Sequence, residues 1–162
     1  MNKQLRMAIQ LRRKGECKKA LNIILNLLKS YPDDSLLNYH CAWTYDNFGK
    51  ERKAISHYEK ALQNGLNKKQ KEAAFIGLAS SYRCIGQYKK AHKILLQANK
   101  EFSKNRALRI FLAMTLYNLR KYHHSMSLLV RELAETSSDH NISNYRKAFL
   151  FYHDKLDRVW NK

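Results

Sequence analysis

The sequence predicts an all-α protein built from paired antiparallel helices, and three observations carry that prediction. First, a chain of 162 residues with 44% hydrophobic residues holds only 5 Gly and 1 Pro. That composition supports a real core and argues against turn-rich sandwiches, barrels and disorder. Second, one phrase recurs: Lys14-Gly15-Glu16-Cys17-Lys18-Lys19-Ala20, then Gly49-Lys50-Glu51-Arg52-Lys53-Ala54, then Gly86-Gln87-Tyr88-Lys89-Lys90-Ala91. The glycines lie 34 and 37 residues apart, and a fourth copy, Arg120-Lys121-Tyr122-His123-His124-Ser125, follows 34 residues later. Third, small and large residues sit at fixed distances from each phrase.

Seven residues before the phrase position stand Ala8, Ala42, Ala79 and Ala113, and four before it Leu11, Tyr45, Tyr82 and Leu116. Five after it come Ala20, Ala54, Ala91 and Ser125, and nine after it Ile24, Tyr58, Leu95 and Leu129. Two amphipathic helices joined by a tight turn approach closely only where small residues face each other, and large residues fill the space one turn away. Glycine supplies the turn that ends the first helix. One pair alone exposes an apolar face, so neighbouring pairs must stack.

Taken in order, the repeats fall near 1–34, 35–68, 72–105 and 106–137. The linkers are Ser30 to Asp34, Asn64 to Lys68 and Phe102 to Asn105, with Asp34 or Ser35, Asn67 and Asn105 as N-caps. Ser137 to Asn141 breaks the chain again. Beyond it, Ile142, Tyr145, Phe149, Tyr152, Leu156 and Val159 recur at spacings of three and four, which predicts one amphipathic helix over 142–161. Its stripe suits covering the last repeat or, alternatively, a homodimer contact.

The pattern resembles the tetratricopeptide repeat, whose signature is W-x2-L-G-x2-Y followed by spaced A, F, A and P. Repeat two carries it through Cys41-Ala42, Tyr45, Gly49, Ala54, Tyr58 and Ala61. Repeat three does so through Leu78-Ala79, Tyr82, Gly86, Ala91 and Ala98, and repeat one through Met7-Ala8, Leu11, Gly15, Ala20 and Pro32. Repeat four is degenerate, with Arg120 for the glycine and Ser125 for the alanine. The stretch from Ala54 to Leu133 also resembles a subfamily of small bacterial proteins with such repeats. The resemblance implies a single domain over 1–162, a right-handed α-solenoid with a C-terminal capping helix, and a protein–protein interaction scaffold.

In the family, positions two, five, nine, twelve and thirteen of each repeat face a partner from the concave surface. Carried onto this chain, they give Asn2, Leu5, Ile9, Arg12 and Arg13; Leu36, Tyr39, Trp43, Asp46 and Asn47; Ala73, Ile76, Ser80, Arg83 and Cys84; and Ala107, Ile110, Met114, Tyr117 and Asn118. The partner-binding candidates are Leu5, Ile9, Arg12, Tyr39, Trp43, Ile76, Arg83, Ile110, Met114 and Tyr117. Tyr39 and Trp43 lie one helical turn apart and share a face, with Arg12 and Arg83 in the adjacent repeats. That mixture suits a protein or peptide with apolar anchors and acidic flanks. The two aromatics equally suit packing between first helices. The family's carboxylate clamp needs Lys and Asn at positions five and nine of a first helix. Those places hold Leu5 and Ile9, Tyr39 and Trp43, and Ile76 and Ser80, so that clamp is absent.

The chain carries 31 Lys+Arg against 13 Asp+Glu, a net charge of +18. Residues 1–30 hold eight bases and one acid, residues 67–106 ten bases and two acids, and residues 31–66 four bases and five acids. Lys18, Lys19, Lys89 and Lys90 start second helices and would line a rim. An alternative function is therefore nucleic-acid (RNA) binding through that Lys/Arg-rich rim, against the plainer reading of solvated helix faces. No phosphate loop, nucleophile elbow or paired carboxylates appear, so no enzymatic activity, catalytic residue or cofactor is expected. The seven histidines form no zinc-type pair, so no metal is expected. Cys17, Cys41 and Cys84 form no CxxC pair, Cys41 sits at a core position, and Cys17 follows a turn, a place open to exposure. With no leader-like or membrane-length apolar run, the expected location is cytoplasmic.

Overall fold

A computed structural model describes residues 3–160. Helices are the only regular elements among them: α1 (Lys3–Arg13), α2 (Cys17–Ser30), α3 (Ser35–Asn47), α4 (Glu51–Gln63), α5 (Lys68–Cys84), α6 (Tyr88–Glu101), α7 (Arg106–Asn118), α8 (Tyr122–Thr136), α9 (His140–Asn144) and α10 (Arg146–Tyr152). The chain separates into two compact units, one ending at Ile94 and the other beginning at Leu95, inside α6. Asn2 and the end of the expected terminal helix at 161 lie outside the described residues.

Each repeat turn closes in the same way. The residue after the phrase position donates to the carbonyl five residues back: Glu16 to Leu11 (2.9 Å), Lys50 to Tyr45 (2.9 Å), Gln87 to Tyr82 (2.8 Å) and Lys121 to Leu116 (2.9 Å). This bond requires a left-handed residue at the phrase position. Gly15, Gly49 and Gly86 supply it with φ of 80°, 66° and 78°, and Arg120 supplies it with φ of 60°. The linkers end on the expected caps. Asp34 accepts from Leu37 N (2.7 Å), Asn67 from Gln70 N (3.0 Å) and Asn105 from Ala107 N (3.1 Å).

In the first unit the small residues lie where the repeat pattern puts them. Ala8, Ala20, Leu5, Leu21, Ile24, Leu37 and Cys41 form one buried cluster, and Ala42, Ala54, Ala61, Ala74, Leu78, Tyr58, Tyr82 and Ala91 form a second. Each buried Leu or Ile contributes about 1.5–3 kcal/mol of burial. The closest approach is at Gly77, where a Cβ would stand 2.4 Å from the Tyr58 ring. That ring is held in place, because Tyr58 OH donates to Asp46 Oδ2 (2.9 Å) and Ser81 Oγ donates to Asp46 Oδ1 (2.6 Å). Asp46, expected to face a partner, is thus engaged by the fold. Burial raises its carboxyl pKa, and the two hydrogen bonds only partly offset that rise. Cys17, whose place after a turn left exposure open, is buried as the first residue of α2.

The second unit keeps small residues at the crossing and adds one polar bond. Ser125, standing for alanine, is buried and donates to Ala113 O (2.7 Å). The single helix expected over 142–161 is not formed. Asp139 caps α9 through Ile142 N (3.1 Å), and Ser143 Oγ donates back to His140 O (3.0 Å), a side-chain-to-backbone competition of the kind that disfavours helix interiors. After α10, Lys155 Nζ binds Phe151 O (2.7 Å) and ends the helix. α10 packs on α8, and Ser127 Oγ meets His153 Nδ1 at 2.9 Å. Ile142 and Phe149 are half-buried, while Tyr145, Tyr152, Leu156 and Val159 are exposed.

Candidate protein-interaction site

The site in the first unit begins with two helices that the repeat pattern sets side by side. α1 contributes Ile9 and Arg12, three residues apart on one face, and α3 contributes His40 and Trp43 with the same spacing. The Arg12 guanidinium carbon lies 3.8 Å from the Trp43 ring centroid, a cation–π contact. The His40 ring stacks near-parallel to Trp43, 13° between planes and 6.3 Å between centroids. Together with Arg6, Gln10 and Arg13 these residues line a pocket of about 260 Å³.

Arg12 is 4% exposed and Trp43 40% exposed, so the indole is the outer surface and the guanidinium lies under it. Arg12 Nη1 approaches His40 Nδ1 at 3.3 Å and His40 O at 3.5 Å, both long for hydrogen bonds. Among the described residues no carboxylate pairs with Arg12, Arg6 or Arg13. Burial lowers the Arg12 pKa from its ordinary value, yet a guanidinium stays charged. Burial first, and then the charge of Arg12, pushes His40 down to about 4. His40 is therefore neutral near pH 7, with Nδ1 turned toward Arg12 Nη1. The result is a cationic pocket beside an exposed aromatic face.

A family model described as tetratrico peptide repeat matches residues 35–156. The chain belongs to that family. Solved structures of tetratricopeptide repeat proteins share its fold. YrrB, described as a TPR protein with an unusual peptide-binding site, is 19% identical at a TM-score of 0.70, covering 94% of this chain and 77% of that one. Nearly identical TPR-like repeats from Podosopora anserina are 18% identical at a TM-score of 0.72, with 96% and 86% covered. A fragment of MamA from Desulfovibrio magneticus RS-1 is 13% identical at a TM-score of 0.67, with 100% and 99% covered. No curated protein matches the sequence significantly.

Within this tetratricopeptide repeat chain the ten candidate residues fare differently. Ile9, Arg12 and Trp43 meet in the pocket. Leu5 and Tyr39 are buried in the core, because α1 and α3 pack against α2 and α4 through that edge, so little of either remains for a partner. Ile76 and Arg83 are half-buried on α5, outside the pocket, and Arg83 Nε is buried without a partner. Ile110, Met114 and Tyr117 lie on α7 in the second unit, where Ile110 is half-buried and the other two are exposed. Sequence reasoning overlooked His40, Arg6 and Gln10. The available signal was that His40 precedes Trp43 by three residues and so shares its helix face.

Proposed function

We propose that the protein is an interaction module, without catalytic activity, that binds a peptide or protein segment on the first unit. An apolar group of the segment lies on Trp43 and Ile9, and an acidic side chain reaches Arg12. The supporting observation is that Arg12 is buried without a carboxylate. Taking a charge out of water costs several kcal/mol unless it is paired, and a bound acid would supply the missing partner. A solved neighbour described as having a peptide-binding site lends the reading further support. The module would recognise its segment by charge and one aromatic anchor, the kind of contact that dominates small interfaces.

The test uses purified full chain carrying Trp160→Phe, which leaves Trp43 as the only indole. Peptides pairing an aromatic or aliphatic residue with Glu or Asp are titrated against their Gln and Asn counterparts while Trp43 fluorescence is followed. The acidic peptides are expected to bind at least about tenfold more tightly, a difference of about 1.4 kcal/mol. Arg12→Met is expected to abolish that preference while the protein stays folded. Equal affinity for acidic and amide peptides, or a preference that survives Arg12→Met, would defeat the reading.

A further inference from the structure

The unit beginning at Leu95 holds a cleft of about 870 Å³, formed by the end of α7, the turn into α8, the first turns of α8 and the turn after α10. Two tyrosines dominate it. Tyr117 is 61% exposed and Tyr122 53% exposed, and their rings meet edge-on, 5.1 Å apart at 61°. Met126 and Leu156 extend this apolar surface, and both are exposed. Arg120 and Lys121 stand between the tyrosines in sequence and line the same cleft, and neither meets a carboxylate among the described residues. Asp157, the one acid in the lining, lies 3.8 Å from His123 Nε2. The cleft therefore offers flat aromatic faces beside two free cations.

A second, independent observation concerns the backbone. All four repeat turns are closed by the same hydrogen bond, and three of them use glycine at the left-handed position. The fourth uses Arg120 at φ 60°. That conformation is costly for an L-residue and easy for glycine. A guanidinium is thus held at this turn against the backbone's preference, and strain of this kind collects where a side chain is needed.

We propose that this cleft binds a nucleotide, with the base on the Tyr117 and Tyr122 rings and the phosphate on Arg120 and Lys121. Base stacking on exposed aromatics and phosphate contact with adjacent bases are the two elements of such recognition. The cleft also falls within the usual size range for small-ligand sites. A free nucleotide and a nucleotide unit within a single strand present the same chemistry. The site shares no residue with the Arg12 pocket and does not depend on the peptide reading.

The experiment uses the full chain at low salt and neutral pH. A fluorescein-labelled oligouridylate of roughly ten nucleotides is titrated by anisotropy, and AMP, ATP, inorganic pyrophosphate and a phosphotyrosine peptide compete for it. Oligouridylate is expected to bind. Competition by AMP or ATP then assigns the site to free nucleotides, and a lack of it assigns the site to the strand. Pyrophosphate is expected to compete poorly, because it lacks a base. Tyr117→Ala is expected to weaken binding about tenfold, and Arg120→Gly to weaken it similarly and reduce the salt slope by about one. Arg120→Gly is also expected to raise Tm. The proposal is overturned if no nucleotide probe binds, if the phosphotyrosine peptide displaces the probe better than AMP and ATP do, or if binding survives both Tyr117→Ala and Arg120→Gly. A fall in Tm on Arg120→Gly would equally remove the strain argument.

Discussion

Arg12 in the first unit and Glu132 in the second are both buried charges, at 4% and 3% exposure, and the fold treats them in opposite ways. Glu132 receives Arg109 Nη1 at 2.7 Å and Arg106 Nη1 at 3.0 Å, and Glu135 holds Arg106 in turn at 2.9 Å. Among the described residues Arg12 has a neutral histidine and the face of an indole beside it, and no carboxylate. A buried carboxylate satisfied by two guanidinium groups belongs to the architecture of its own unit. A buried guanidinium with no acid among the described residues opens on a pocket, and in the proposed reading a bound segment supplies its counter-ion. On that reading a structural charge differs from a binding charge by whether its counter-ion is built in.

The sharpest way to break this comparison is to remove Glu132. Glu132→Ala leaves Arg109 half-buried without its partner, and a loss of about 3–5 kcal/mol is expected, read by urea denaturation with Trp160 as the probe in a Trp43→Phe background. A loss under about 1 kcal/mol would place Glu132 with ordinary surface pairs. Next in size is the pH response of the first unit. The folded pKa of His40 is depressed, so its contribution is full above roughly pH 6.5 and is lost as pH falls toward about 4. The expected loss is at most roughly 3 kcal/mol across that window, and a His40→Gln variant should flatten the curve.

Gly77→Ala is expected to cost about 1–3 kcal/mol, because the new methyl meets a Tyr58 ring that Asp46 holds in place. The gain in helix propensity, up to about 1 kcal/mol, does not offset that clash. Thermal unfolding decides the sign. The smallest effect is expected at Arg12 itself. Arg12→Met keeps the aliphatic stem and removes an unpaired charge, so stability should change by less than about 1 kcal/mol, or rise. A large loss would assign Arg12 to the structure and bring it level with Glu132.

Much of the fold was legible because close helix crossings need small residues at set distances, and Ala8, Ala20, Ala42, Ala54 and Ala91 announce themselves by that spacing. The caps Asp34, Asn67 and Asn105 were legible for a similarly local reason. The terminal segment was not. A stripe at spacings of three and four gives no sign of where Ser143 and Lys155 bond to backbone carbonyls. Only part of the candidate site could be read. Arg12 and Trp43 were placed by their positions in the repeat, whereas Leu5 and Tyr39, at equally plausible positions, are buried.

The sequence by itself determined the helix pairs, their turns and the family, because all three rest on residues near one another along the chain. Whether a charge would have a partner was decided only in three dimensions. Arg106 and Arg109 reach Glu132 across more than twenty intervening residues, and Arg12 meets His40 and Trp43 from another helix. Periodicity fixes which face of a helix a side chain occupies, but the neighbour on that face comes from elsewhere in the chain, and only packing brings it there.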